Sequence, residues 1–589
     1  MPSSSATSTA WPADIPRSLD YPTVAVPSIL RAAARRYGER TAFVQGGRSL
    51  TFAEVLADAC RTANALAARG ITPGDVVAVH LPNCLQYPAV YYGVLMAGAT
   101  FSPTNPLLPP DDLAHQLADC SAAAVVTYGP VAPLLASVVD RTSVRTVLVT
   151  DAAQEADAEA RVDLSALPDG WEDLLAVIAG GSADDPRVEV DPAERLAHLA
   201  YTGGTTGRSK GVELPHRNVV VNTLQFACWG TGSVPALDEH GDLTLRQLDA
   251  LADDFPVRLG TGIAVNLTPW FHAMGTVGYL NLPVLTGSTT VIHQRFDPVA
   301  YVADAERYRV TTIGGAPPVF HALLQVPGLR ERDLSSVRSL ASGAAPLAVE
   351  LIEQLAQVFP DAVIGEGYGL TEVTMGAVSN PSGRSQVRKV GSVGLPVPDT
   401  EVMVVAPDEP ELRELPAGEP GEVCLRGPQV MRGYHGRPDA TAEVLVDGWL
   451  RTGDVGVLDQ DGYLSIVDRK KDMLLYKGYN VYPRELEEIL FAHPAVSSCA
   501  VVGQPDPAAG ELPVAFVVLA PGAQLTAEEL MAHVGERVTP YKRVRRVEFV
   551  DSIPVSAAGK VLKRELRDRL AQQTPAPRTA EPAPAPVKG

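Results

Sequence analysis

The sequence predicts an α/β protein of two unequal parts, on three observations. Short Val/Ile-rich runs such as DVVAVHL, AAVVTYG, VRTVLVT and TTVIHQ alternate with helix-spaced stretches such as Val55 to Arg69, the pattern of βα units around parallel sheets flanked by helices. From about Thr400 the runs shorten and glycine turns intervene (EVMVVAP, GEVCLRG, GYLSIVD), which predicts a subdomain of antiparallel or barrel character. Beyond the charged run Asp468-Arg469-Lys470-Lys471-Asp472, roughly 100 residues read as a small α+β unit.

From the N-terminus, residues 1–25 are rich in Ser, Thr and Pro and are expected to be disordered. They lack the basic start and apolar core of a secretory signal. The large domain spans 26–468. Within it AVYYGVLMAGA, from Ala89 to Ala99, is too short to cross a bilayer and is closed by SPTNPLLPP, so it predicts a buried helix and no transmembrane segment. Residues 469–472 read either as a solvated turn or as an interdomain hinge. In the C-terminal domain, 473–573, Pro483 starts a helix whose Leu486, Ile489 and Leu490 share one face. SSCAVVGQ and PVAFVVLA read as strands, and helices near Thr526 to Val538 and around Leu562, Leu566 and Leu570 complete the unit. The Pro/Ala tail, 574–589, is expected to be disordered.

Lys plus Arg is 49 and Asp plus Glu is 69, a net charge of −20 that repels phosphate backbones and excludes nucleic acid as a main partner. Salt screens that field beyond roughly 8 Å, so a local basic loop still suits a small phosphate ligand. Cys60, Cys84, Cys120, Cys228, Cys424 and Cys499 show no zinc spacing and read as thiols of a reducing, cytoplasmic compartment.

The sharpest local feature is Tyr201-Thr-Gly-Gly-Thr-Thr-Gly-Arg-Ser-Lys210-Gly211. Gly203, Gly204 and Gly207 free the backbone, Thr202, Thr205, Thr206 and Ser209 offer hydroxyls, and Lys210 supplies a cation, so the loop can wrap a phosphate chain. Arg208 and Ser209 separate the last glycine of the run from the lysine, so it is not a Walker loop.

YTGGTTGRSKG resembles the phosphate-loop signature of the acyl-adenylate-forming superfamily: acyl-CoA synthetases, adenylation domains of peptide synthetases and beetle luciferases. Further signatures follow in the expected order: ASGAAPL from Ala341, GYGLTE from Gly367, GWLRTGD from Gly448, VDRKKDMLLYKGYNVYPRELE from Val467 and PVSAAGKVLKREL from Pro554. The resemblance covers about residues 25–570 and is greatest to medium- and long-chain fatty acyl-CoA synthetases. It implies a large domain with a distorted β-barrel subdomain, a mobile C-terminal domain and a hinge at Lys471. It further implies ATP, Mg²⁺ and CoA as ligands, and a carboxylic acid as substrate.

Residue by residue, the resemblance assigns the triphosphate to the loop above, and the adenine slot to Gly343, Ala344, Ala345, Gly367, Tyr368 and Gly369, with Tyr368 stacking on the base. Thr371 lies near the α-phosphate and Glu372 holds magnesium, a hard cation that takes oxygen ligands. Asp454 bonds the ribose hydroxyls and Arg469 reaches the ribose and phosphate region. Lys560 bridges the acid's carboxylate and the α-phosphate, where negative charge gathers during attack. Lys477 and Gly478 line the thiol tunnel. Trp270, Phe271, Met274 and Gly275 flank the acyl group, with Gly314, Gly315 and Ala316 as the other wall. His272, where amino-acid-activating relatives carry an aspartate, reads as a gate or carboxylate contact.

Small glycines opposite aromatics suggest room for a medium- or long-chain fatty acid, with aryl or alicyclic acids behind it. A fatty acyl-AMP ligase loading a stand-alone acyl carrier protein, and a luciferase-like oxygenase, share the first half-reaction. The long acidic segment 231–262 departs from the family pattern and reads as a surface excursion, with a lid or partner contact as the rival.

Overall fold

The computed structural model describes residues 10–13, 15–157, 159–202, 208–343, 347, 349–407, 409, 411–477, 479–555 and 561–573. The chain divides into two compact units, Met1–Ile466 and Val467–Gly589.

The first unit is built on two large sheets. In one the strand order is Leu395–Pro396, Val378–Ser379, Val363–Tyr368, Ser339–Ser342, Thr312–Gly315, Ile263–Asn266, Thr289–Ile292, Thr41–Gln45, Arg48–Thr51. In the other it is Gly433–Tyr434, Lys210–Pro215, Leu196–Thr202, Thr100–Pro103, Val76–His80, Ala122–Tyr128, Thr146–Thr150, Glu172–Asp173. Their central strands run parallel, as continuous Val/Ile-rich runs buried on both faces do. A third, antiparallel sheet contains Glu401–Val405, Gly421–Arg426 and Trp449–Leu458. The helix Tyr87–Met96 is buried at every position, as its all-apolar sequence requires. Among the described residues no helix is long and apolar enough to cross a membrane.

One expectation is corrected. Residues 10–13 and 15–25 are placed against the body of the unit: Ile15 and Leu19 are buried, Trp11 packs edge-on against Trp229 at 5.2 Å, and Asp399 accepts from Leu19 N and the Tyr21 hydroxyl at 2.9 and 2.8 Å. The Ser/Pro-rich composition masks a few apolar anchors: Ile15 and Trp11 join a cluster with Leu251, Phe255 and Tyr463, and Leu19 enters the main core. Segment 231–262 is a hairpin, Ser233–Leu237 with Leu243–Gln247, fastened to the helix Pro27–Tyr37. Arg35 reaches Asp238 and Asp242 at 2.5 and 2.6 Å, while Leu243 and Leu245 enter the core. Residues 1–9 and the tail 574–589 lie outside the described residues.

In the second unit, Leu474–Tyr476, Tyr479–Val481, Val496–Asp506, Gly510–Leu519 and Arg546–Phe549 form a sheet. Leu486 and Leu490 of the helix Pro483–Phe491 pack with Leu530 and Val534 in one cluster, and Leu566 and Leu570 pack in another with Val502 and Phe516. Pro483 occupies the first helical position, where its missing N–H costs no hydrogen bond.

Three histidines of the first unit are buried and neutral. Burial lowers His80 to about 4; burial and then His216 lower His198 to about 3; burial and then Arg195 lower His216 to about 3. Below about pH 6.5 the unfolded chain takes up protons that the folded chain refuses until pH 3–4, so stability present above pH 6.5 is lost as pH falls through that window. The loss is on the order of 1 kcal/mol per histidine per pH unit. The urea midpoint at pH 5.5 is expected to lie clearly below that at pH 7.5; equal midpoints would refute neutral burial.

Candidate active site

The site is set out by strand ends. Gly314, Ala341 and Gly365 are in register across three adjacent parallel strands, as are Gly315, Ser342 and Glu366. The chain therefore leaves the sheet at one edge with the Gly315-Ala316, Ser342-Gly343 and Tyr368-Gly369 segments side by side, the crevice position where open parallel sheets bind ligands. The phosphate loop leaves the C-terminal end of a strand in the other sheet, Leu196–Thr202, and returns through Lys210–Pro215, with Thr202 opposite Lys210.

Beyond Tyr368 the chain makes a tight turn. Thr371–Val373 is a short 3₁₀ helix, and the wholly buried Thr374 follows at φ +70°, ψ −55°. Met375 N donates to Val373 O at 2.8 Å, which makes this a γ-turn, a strained conformation for a β-branched residue. Thr374 persists there because its hydroxyl donates to Gln429 O at 2.7 Å, while Met431 N donates to Glu372 O at 2.8 Å. The loop closes so tightly that a Cβ on Gly369 would lie 2.0 Å from Met375 O.

Glu372 is half-buried, and its Oε1 accepts from the Tyr434 hydroxyl at 2.8 Å. Burial, and then the adjoining carboxylate, hold the Tyr434 phenol well above its ordinary value, so it stays an O–H donor. Lys210 Nζ sits 4.8 Å from the centre of the same ring. The loop lysine and the magnesium candidate are thus joined through one tyrosine that sequence reasoning missed.

Tyr368 and Asp454 also meet: the phenol donates to Asp454 Oδ2 at 2.6 Å. Asp454 is aimed by a β-bulge. Arg451 pairs with Cys424 and Val455 with Glu422, so three residues, Thr452 to Asp454, face Val423 alone, with Gly453 at φ +72°. Replacing Tyr368 by Phe keeps the flat ring and deletes this bond, and the KM for ATP is expected to rise about three- to tenfold with the acid KM unchanged. Steady-state kinetics checks this; an unaltered KM for ATP would separate the bond from nucleotide binding.

The acyl wall needs a correction. Trp270 is wholly buried, edge-on to Phe43 at 5.8 Å and tilted against Tyr87 at 5.3 Å, and its Nε1 donates to Tyr279 O at 3.1 Å. It is a core residue that cannot face the expected acyl pocket, because so large a ring with one N–H packs best where that donor is satisfied. Nor do the glycines leave open space. A Cβ on Gly314 would meet the Tyr279 hydroxyl at 2.1 Å, on Gly315 Val319 at 3.1 Å, on Gly275 the Pro269 carbonyl at 1.9 Å, and on Gly343 the Met274 sulfur at 3.3 Å. Met274 and Gly343 are therefore neighbours, and Tyr279 occupies the room over Gly314. His272 sits half-buried beside Phe271, ring centres 4.8 Å apart. Ala316 precedes the helix Pro317–Leu324.

Arg469, Lys471 and Lys477 belong to the second unit. Lys471 is exposed in a turn, and Lys477 takes φ +50° between two strands while its N–H donates to Ala509 O at 2.7 Å. Asp468 is buried: its Oδ1 accepts from Arg469 N at 2.7 Å and its Oδ2 from Arg484 N at 2.9 Å, capping the Pro483–Phe491 helix. Gly203, Gly204, Thr205, Thr206, Ala344, Ala345, Gly478 and Lys560 lie outside the described residues.

Among the described residues no three or more His, Cys, Asp or Glu side chains form a metal cage. A single carboxylate, with phosphate oxygens and water completing the shell, is how Mg²⁺ is bound in nucleotide sites, so Glu372 fits that ion.

Parallel sheets whose strand ends and following turns bring Lys210 and Glu372 onto one tyrosine, with Tyr368 bonded to Asp454 of the antiparallel sheet, suit a nucleotide-binding enzyme. Residues 30–435 match the AMP-binding enzyme family and residues 485–560 the AMP-binding enzyme C-terminal domain, and the chain belongs to that family. It is 34% identical over 578 residues to a long-chain-fatty-acid–CoA ligase of Bacillus subtilis (strain 168), covering 94% of this chain and 96% of that one. It is 38% identical over 556 residues to 4-coumarate–CoA ligase-like 9 of Oryza sativa subsp. japonica, covering 93% of each. ATP-bound MatB from Rhodopseudomonas palustris superposes with TM-score 0.79 at 28% identity, covering 93% of this chain and 99% of that one.

Proposed function

We propose that this chain is an ATP-dependent acid:CoA ligase that turns a medium- or long-chain fatty acid into its CoA thioester. The acid's carboxylate attacks the α-phosphorus of ATP, pyrophosphate leaves, and the acyl-adenylate carbonyl then accepts the CoA thiol as AMP departs. The observation that carries the reading is the convergence of Lys210 and Glu372 on Tyr434, together with the Tyr368–Asp454 pair. In this reading Lys210 and the loop bind the phosphates, Tyr368 and Asp454 orient adenosine, and Thr371 contacts the α-phosphate. Glu372 would hold Mg²⁺, which neutralises phosphate charge. Lys560 stabilises charge on the pentavalent phosphorus, and Arg469 reaches the ribose and phosphate. Rotation about Lys471 then exchanges Lys560 for the Lys477-Gly478 thiol path.

A second reading, an aryl or alicyclic acid as substrate, draws support from the similarity to the rice 4-coumarate–CoA ligase-like protein and from Tyr279 filling the space over Gly314. We place the enzyme in the cytoplasm, whose reducing conditions suit its six buried thiols.

The test is pyrophosphate release against fatty, aryl and amino acids, each with and without CoA, with products identified by mass. A fatty acyl-CoA product is expected, and an aryl-CoA product would favour the second reading. Adenylate without thioester would shift the acceptor to a carrier protein or oxygen, and no pyrophosphate with any acid would overturn the ligase.

A further inference from the structure

We propose that Tyr434 is a positioning residue for the magnesium site: its hydroxyl aims the Glu372 carboxylate, and its ring sets the distance between that carboxylate and Lys210. The proposal rests on the reading of Glu372 as magnesium ligand. Tyr434 belongs to a two-residue strand that pairs antiparallel with the returning arm of the phosphate loop, Gly433 opposite Glu213 and Tyr434 opposite Val212. His435 N donates to Gly211 O, and His435 Nδ1 lies against Glu213 Oε1, both at 2.8 Å. The outgoing arm is tied as well: the Tyr201 hydroxyl and Arg437 share the Asp119 carboxylate at 2.8 and 2.9 Å.

The same segment holds the carboxylate turn. Thr374 and Met431 make the bonds described above, and Asn218 Nδ2 fixes Val430 O at 2.6 Å. Residues 429–437 therefore act as a strap, bonded on one side to the returning arm of the phosphate loop and, through Asp119, linked to the outgoing arm, and on the other to the turn that carries Glu372. Tyr434 is where the two sides meet at side-chain level, 2.8 Å from the carboxylate and 4.8 Å from the lysine. A hydrogen bond that holds Oε1 restricts where Oε2 can point, and groups that orient a metal ligand this way change metal affinity about 10–100-fold.

The experiment measures Mn²⁺ binding to the full chain in complex with α,β-methylene ATP, by electron paramagnetic resonance of free Mn²⁺. Tyr434→Phe, Glu372→Gln and the double variant are compared, with melting temperatures recorded. Tyr434→Phe is expected to weaken Mn²⁺ binding about tenfold at unchanged melting temperature, and the double variant to bind no worse than Glu372→Gln alone. Wild-type Mn²⁺ affinity in Tyr434→Phe, or fully additive losses, would overturn the proposal. Wild-type affinity in Glu372→Gln would instead remove the magnesium reading, and the proposal with it. Tyr434→Leu, which also takes the ring from Lys210, is expected to weaken the metal-free analogue where Tyr434→Phe does not; equal binding by the two would overturn the role of the ring.

Discussion

Replacing Lys560 by alanine is expected to lower acid-dependent ATP–pyrophosphate exchange about 10²–10³-fold while leaving Mg·ATP binding intact. The attacked phosphorus gathers negative charge between carboxylate and leaving pyrophosphate, and a cation aimed there is worth more in the transition state than in the ground state. The second half-reaction should survive, because preformed acyl-adenylate needs only the thiol path. Exchange measured beside thioester formation from synthetic acyl-AMP separates the two. A variant with wild-type exchange would remove Lys560 from the adenylation step.

Gly369→Ala is expected to be nearly as damaging by a different route. Its Cβ would lie 2.0 Å from Met375 O and 2.4 Å from Gly376 Cα, backbone atoms that move only if the γ-turn at Thr374 opens. Opening it shifts Glu372 and Tyr368 together. A displacement of about 1 Å in positioning groups can lower turnover about 100-fold, and forced overpacking destabilises by about 1–3 kcal/mol. Adenylation kinetics and thermal melting check both; a variant that melts and turns over like the parent would show that the turn has room to give.

Much of this was legible in the sequence. The alternation of apolar runs and helix-spaced stretches marks the parallel sheets, and the buried helix Tyr87–Met96 reads from its apolarity alone. Thr202 and Lys210 stand out because glycines and hydroxyls crowd around them, whereas Tyr368, Glu372 and Asp454 are legible only through the family motifs GYGLTE and RTGD that contain them. Tyr434 did not stand out, since its role comes from pairing with a strand far away in sequence, which no local period encodes. Trp270 was misplaced for a related reason. Its neighbours in sequence are expected wall residues, while its neighbours in space, Phe43 and Tyr87, are core. Glycines were overread as room, because absence of a side chain says nothing about which other group moves in. Asp468 looked like one charge in a run, yet the run carries a helix cap.

The strap has a consequence for how the enzyme is made. His435 and its partner Glu213 are 222 residues apart, and the strap also reaches back to Asp119. A ribosome adding roughly 5–20 residues per second needs on the order of 10–40 s to cover that interval. For most of that time the nascent chain carries its phosphate-loop sequence without the carboxylate turn, and for all of it without the strap. Contacts this distant in sequence close late, after their loop entropy has been met. The nucleotide site is therefore among the last parts of the first unit to be finished during translation, although its most recognisable motif is made early.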